Sequence, residues 1–195
     1  MEWKWIDKDR VDIEPKPTFY NGVEYASALE SKYAMAFDKL GIKFTHETNW
    51  FRGDGLKYNP DFKLIDQGVF FEVKGFKYEA VEQKKFRMVA ENNQVLFIGD
   101  NNGFLYRASK KGLSKAKLVR CLSCLEWYID TGNTDFVNSE CPRGCKRAKY
   151  DMWDNLFDAV GEHVYERKRR WPLGDYPDLP CRVKGREPYV VESWD

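Results

Sequence analysis

Asp61, Glu72 and Lys74 are the residues whose types and spacing could do chemistry. They lie within Tyr58-Asn59-Pro60-Asp61 and Val69-Phe70-Phe71-Glu72-Val73-Lys74-Gly75. Phe62–Ile65 and Val69–Lys74 read as two strands, with Asp66-Gln67-Gly68 as the tight turn between them. Side chains two apart on a strand share a face, so Glu72 and Lys74 point the same way. Antiparallel pairing brings Asp61 next to that face. Asp61 and Glu72, with the backbone carbonyl of Val73, are hard oxygen ligands of the kind that hold one or two Mg²⁺ ions. Such a metal polarises a phosphodiester and lowers the pKa of a bound water. Lys74 can position that water or stabilise transition-state charge. The competing interpretation is a surface hairpin with exposed charges, because an Asp and an Glu-x-Lys at this distance are common by chance.

The surrounding residues narrow the choice: Pro precedes the Asp, Phe-Phe precedes the Glu and Gly follows the Lys. Pro60-Asp61 followed by Glu72-Val73-Lys74 resembles the PD-(D/E)xK motif of the restriction-endonuclease-like nucleases. Upstream, Ser27-Ala28-Leu29-Glu30 and Tyr33-Ala34-Met35-Ala36-Phe37-Asp38-Lys39-Leu40-Gly41-Ile42 look like the first core helix of phage and bacterial members. The resemblance covers residues 24–100. It implies an α/β (α+β) fold, a mixed four- or five-stranded sheet flanked by helices. It also implies Mg²⁺- or Mn²⁺-dependent cleavage of DNA, with Glu30 completing the acidic set. Some family members place a Gln or Lys from the next helix at the site, which makes Gln83 a further candidate; a solvated helix face is its alternative.

Cys121, Cys124, Cys141 and Cys145 form a C-x2-C and a C-x3-C pair. Two short pairs set apart in this way let four thiolates converge tetrahedrally on Zn²⁺. Between them Leu125–Asp130 reads as a strand, Thr131–Asp135 as a turn and Phe136–Asn138 as the returning strand, the layout of a zinc ribbon. Pro142 and Gly144 suit a tight knuckle. Disulfides or unrelated thiols are the alternatives, but disulfides need an oxidising compartment that no export signal in the chain suggests. Four thiolates leave no open coordination position, so the zinc is expected to be structural. Cys181 reads as a free thiol.

The formal net charge of +1 would by itself speak against a nucleic-acid partner, but the charges are segregated. Residues 1–100 carry −2, residues 101–149 carry +6 and residues 150–195 carry −3. Arg107, Lys110, Lys111, Lys115, Lys117 and Arg120 fall in a stretch without a single acid, which suits a phosphate backbone. A solvated surface loop is the other interpretation.

These residues need elements to position them. Leu29, Tyr33, Ala36, Phe37 and Leu40 recur at helical spacing, and Gly41 is a natural stop. Ile42–Glu47 alternates as a strand, followed by a polar loop through Arg52–Gly55. Glu79–Glu91 reads as a helix and Gln94–Gly99 as a buried strand that can pair parallel to the Glu72 strand. Ala148–Arg169 reads as an amphipathic helix, followed by Arg167–Arg170 and a tail whose Trp171 and Tyr176 dock on the core, with stacking on bases as the alternative. His46 and His163 are isolated and read as structural or surface residues. The expected organisation is an arm at 1–20, a nuclease core at 21–112, a zinc-ribbon module at 113–150, and a C-terminal helix and tail at 151–195. The chain thus reads as a DNA endonuclease of the bacterial or phage-infected cytoplasm, with DNA as partner and no membrane. A protein partner or a homodimer is a further option. The alternative function is a catalytically inactive nuclease-fold module that binds nucleic acid or a protein in a phage or bacterial complex.

Overall fold

The computed structural model describes residues 16–53, 55–75, 80–130, 141, 143–145 and 150–161, and the backbone of 181–182 and 190–191. The expected features at 1–15, 131–140, Pro142 and 162–180 lie outside the described residues, as does the side chain of Cys181. The elements are β1 (Thr18–Tyr20), β2 (Val23–Tyr25), α1 (Ala28–Leu40), β3 (Phe44–His46), β4 (Phe51–Gly53), β5 (Leu56–Tyr58), β6 (Phe62–Leu64) and β7 (Val69–Val73). Then come α2 (Ala80–Glu91), β8 (Leu96–Gly99), β9 (Leu105–Ser109), β10 (Gly112–Cys121), β11 (Trp127–Asp130), β12 (Tyr150–Trp153), β13 (Cys181–Arg182) and β14 (Val190–Val191). A helical stretch covers 156–161. The fold is mixed α+β. No helix among the described residues is long and apolar enough to cross a membrane.

An eight-stranded mixed sheet runs β11-β10-β9-β8-β7-β6-β3, with β12 also on β10. β6 pairs antiparallel with β3 and β7, and β8 pairs parallel with β7, as the apolar run at Gln94–Gly99 suggests. The parallel step needs a crossover, and α2 supplies it. α1 begins where the Ser27 hydroxyl accepts the Glu30 N–H at 3.2 Å. It ends at Gly41, whose φ of +73° carries the chain out of the helix. There the N–H groups of Gly41 and Ile42 donate to Asp38 and Phe37, satisfying two terminal carbonyls.

Strand alternation sorts the side chains into two layers. Phe62, Leu64, Val69, Phe71 and Val73 face α1, where Phe37 packs edge-on against Phe62 and Phe71 at 5.6 and 5.1 Å. Phe70, Leu96, Ile98 and Ala108 face α2 with Phe86 and Val89. Glu72 and Lys74 share the α2 side with Phe70.

Several elements differ from the sequence expectation. Thr18–Tyr20 is a strand paired with β2, not part of an arm. Residues in the expected polar loop form the β4–β5 hairpin, because Phe51 and Tyr58 alternate inward and Gly55, at φ +74°, turns the chain. The start of the expected helix at Ala148–Arg169 is instead β12, whose Trp153 ring packs tilted against Trp127 with centroids 4.8 Å apart. Aromatic residues favour a strand, and β10 offers an edge to pair with. Asn155 then starts the helical stretch, its side-chain oxygen accepting from the N–H of Phe157 at 2.8 Å. β10 is one strand that pairs with β9 over 112–116 and with β11 over 117–120. Leu118 pairs with both Ile129 and Trp153, so β11 and β12 flank opposite edges of β10.

Candidate functional site

The β6–β7 hairpin brings Asp61, Glu72 and Lys74 to one end of the sheet, on the α2 side. Asp61 Oδ2 accepts the backbone N–H of Val73 at 2.6 Å. Val73 thus donates its N–H here, where its carbonyl was the expected participant. Glu72 is buried, and its Oε2 accepts the Tyr58 hydroxyl at 2.7 Å and the Asp61 N–H at 3.4 Å. Its Oε1 lies 3.0 Å from Lys74 Nζ. Lys74 Nζ is also 3.0 Å from Glu82 Oε1, on the first turn of α2. Gln83 is the next residue, partly exposed; consecutive helix residues do not share a face.

Glu30 is buried and engaged at the helix start. Its Oε1 accepts the Ser27 hydroxyl at 2.8 Å and its Oε2 accepts the N–H of Ala26, the residue before the cap, at 3.2 Å. His46 Nε2 stands 3.7 Å from Glu30 Oε2 and packs against Tyr25 and Phe62.

The electrostatics follow from burial. Desolvation pushes the Asp61 carboxyl well above its ordinary range, and the charges of Glu72 and Glu30 push it further. The Val73 N–H and Lys74 oppose that shift without cancelling it. Burial also raises the Glu72 carboxyl, against the pull of Lys74 and Tyr58. For Lys74, burial disfavours the ammonium, but Glu72 and Glu82 outweigh it and raise its pKa. Lys74 is therefore held in its charged form more firmly than an ordinary lysine. Tyr58 and Glu82 are partners that sequence reasoning missed. The signal for Tyr58 was an aromatic hydroxyl at the end of an alternating run next to Asp61. The signal for Glu82 was an acid in the first turn of the helix after Lys74.

A second cluster lies where β10 ends. Cys121, Cys124, Cys141 and Cys145 are free thiols, and their sulfurs all lie within 4.8 Å of one another. Cys124 and Cys141 sulfurs are 3.5 Å apart. Tetrahedral zinc at about 2.3 Å from each sulfur sets ligand sulfurs ~3.8 Å apart, so this set could hold a metal such as zinc. Two knuckles build it. Leu125, at φ +63°, donates its N–H to the Cys121 carbonyl at 2.7 Å. Gly144, at φ +71°, donates to the Cys141 carbonyl at 2.6 Å. An Arg143–Glu126 ion pair joins the knuckles. Burial acts to raise the Cys121 thiol, yet N–H groups of Cys124 and Ser123 and the neighbouring thiols bring it down to about 7. Among the described residues, the thiols form the one group of three or more candidate ligands this tightly gathered.

The strand that carries Cys121 pairs with β11, as the register of Arg120 on Trp127 shows. Gln67, in the β6–β7 turn, donates to the Ile129 carbonyl at 3.2 Å and accepts the Ile129 N–H at 3.1 Å. A cleft lined by Gln67, Trp127, Tyr128 and Arg143 lies there, at the opposite end of the hairpin from the carboxylates.

The basic stretch is a hairpin rather than a loop. The β9–β10 register puts Arg107 and Arg120 on one face and Lys115 and Lys117 on the other, with Lys110 and Lys111 at the tip. Lys117 pairs with Asp154 at 3.3 Å, and Arg120 lies 5.4 Å over the Trp127 ring. Alternation thus divides a run that is continuous in sequence.

Comparison with known proteins found no matching family model, no matching curated protein and no matching solved structure.

Proposed function

We propose that the chain is a Mg²⁺- or Mn²⁺-dependent deoxyribonuclease of the PD-(D/E)xK kind, with a structural zinc held by Cys121, Cys124, Cys141 and Cys145. The observation that carries the reading is the convergence of Asp61, Glu72 and Lys74, with Lys74 Nζ 3.0 Å from Glu72 and the Asp61 carboxylate 2.6 Å from the Val73 amide. The β3-β6-β7-β8-β9 order, with α1 before the hairpin and α2 after it, supports it. So does the raised proton affinity of Asp61 and Glu72, because a buried cluster of like charges takes up positive charge.

Asp61 and Glu72 are hard oxygen donors that fit a divalent cation of this kind, with Glu30 nearby. That ion, when bound, supplies Lewis-acid polarisation of the phosphodiester and a water of lowered pKa. Lys74, kept protonated by Glu72 and Glu82, offsets negative charge that develops on the phosphate oxygens. Tyr58 fixes the Glu72 carboxylate through one oxygen.

Nicking of supercoiled plasmid with Mg²⁺ or Mn²⁺ tests this. Asp61→Ala and Lys74→Ala should abolish cleavage and leave the circular dichroism spectrum unchanged. Cleavage by both variants at the parent rate would refute the site. The engagement of both Glu30 oxygens at the helix start favours a second reading, an inactive nuclease-fold module that binds nucleic acid or a protein. DNA binding without cleavage in any divalent metal would select it.

A further inference from the structure

The β4–β5 hairpin stands outside the main sheet, inserted between β3 and β6. Its two faces differ. Inward, Phe51 meets Phe70 edge-on at 5.0 Å and Tyr58 reaches Phe86 and Glu72. Phe51 pairs with Tyr58 and Arg52 with Lys57 in the register. Alternation therefore puts Arg52 and Lys57 together on the outward face, and Trp50 directly precedes the strand that carries Arg52.

That face is open. Trp50 is 64% exposed, and Arg52 and Lys57 are exposed beside it. Among the described residues, no carboxylate pairs with either cation. The base of the hairpin is tied to the carboxylate site. Glu47 donates its N–H to the Asp61 carbonyl at 2.9 Å. Asn59 donates to the Glu47 carbonyl at 3.0 Å and accepts the Asn49 N–H at 3.2 Å. Trp50 follows Asn49 directly.

We infer that the outward face of this hairpin is a subsite for a nucleic-acid strand with unpaired bases. Trp50 offers an aromatic surface on which a base stacks, and Arg52 and Lys57 neutralise flanking phosphates. In a duplex the base faces are already stacked on one another and closed to an indole. The subsite thus prefers single-stranded or branched substrate over continuous duplex. This specifies the substrate of the proposed nuclease and rests on that reading for the cleavage step, though not for binding.

Fluorescence anisotropy with a fluorescein-labelled single-stranded oligonucleotide and the same sequence as duplex tests it, without added divalent metal. Trp50→Ala should weaken single-strand binding about 10- to 100-fold and duplex binding by less than about 2-fold. Trp50→Phe should restore most of the loss. Arg52→Gln with Lys57→Gln should weaken single-strand binding and flatten its salt dependence. Single-strand affinity unchanged in Trp50→Ala would overturn the subsite, whether or not the protein cuts DNA. Binding that depends on Trp50, without cleavage of any DNA in Mg²⁺ or Mn²⁺, would uphold the subsite and refute the nuclease reading. Equal loss for duplex and single strand would overturn the preference for unpaired bases.

Discussion

Lys74 is held by Glu82 as closely as by Glu72, with 3.0 Å between nitrogen and oxygen in each case. One carboxylate comes from the same strand and the other from the first turn of α2. The ammonium is thereby fixed between the hairpin and the helix. Under the proposed function, Glu82 is a positioning residue that acts through Lys74.

Glu82→Gln should lower Mg²⁺-dependent cleavage about 10- to 100-fold, the usual range for a partner that orients a site group. Gln83→Ala should stay near the parent rate. Plasmid nicking under single-turnover conditions reads both. An equal loss at Gln83 would move the α2 contribution one residue along the helix.

The raised carboxyls of Asp61 and Glu72 give a pH dependence with a definite sign. Ordinary values are 3.8 and 4.5, and the folded state holds both protons to higher pH than that. Over that window the folded state binds more protons than the unfolded chain, so stability falls as pH rises and levels off once both groups are ionised. Asp61→Asn removes one charge and keeps an oxygen to accept the Val73 N–H. Without added Mg²⁺ or Mn²⁺ it should be more stable than the parent by about 1 kcal/mol at neutral pH. The gain should fade toward about pH 4, where the parent carboxyl is protonated. Urea melts at both pH values decide it, and a loss of stability at neutral pH would contradict the repulsion.

The parts legible in the sequence were those set by short-range rules. Period-2 alternation and a Gly-containing turn placed Asp61, Glu72 and Lys74 at one sheet end, and Gly41 marked the end of α1. Glu82 was hidden because its contact depends on how α2 docks on β7, which helical periodicity does not specify. The start of the expected C-terminal helix forms a strand for a related reason. Tyr150–Trp153 has residues acceptable in either state, and only the free edge of β10 decides for a strand. The basic run is one block in sequence, yet strand alternation sends its members to two faces.

Gly99 gives a stability prediction with a steric cause. A Cβ there would collide with the ring and hydroxyl of Tyr33, which is fully buried and donates to the Asp100 carbonyl at 2.7 Å. The Gly99 carbonyl also accepts the Lys74 N–H at 2.9 Å. Gly99→Ala forces either the ring or the β8 backbone to move and should destabilise the fold by about 1–3 kcal/mol. A denaturant melt within ~0.5 kcal/mol of the parent would show that the Tyr33 pocket yields freely.

The cysteine cluster makes a prediction that separates metal content from fold. Protein purified without added metal should carry about one zinc per chain by elemental analysis. Cys124→Ser removes one of four ligands, so zinc should fall well below that level and stability should drop on the order of several kcal/mol. Cys181→Ser should keep the zinc of the parent. The loss in Cys124→Ser should concentrate where the knuckles meet the sheet. The Cys121 N–H donates to the Glu126 carbonyl at 3.0 Å, and Ile129 is tied to Gln67. By hydrogen exchange, amides of Trp127–Asp130 should lose protection in Cys124→Ser, while those of α1 and β7, packed in the aromatic core around Phe37 and Phe71, should retain most of theirs. Metal-free protein with the parent's melt and the parent's protection at β11 would refute the structural role of the four thiols.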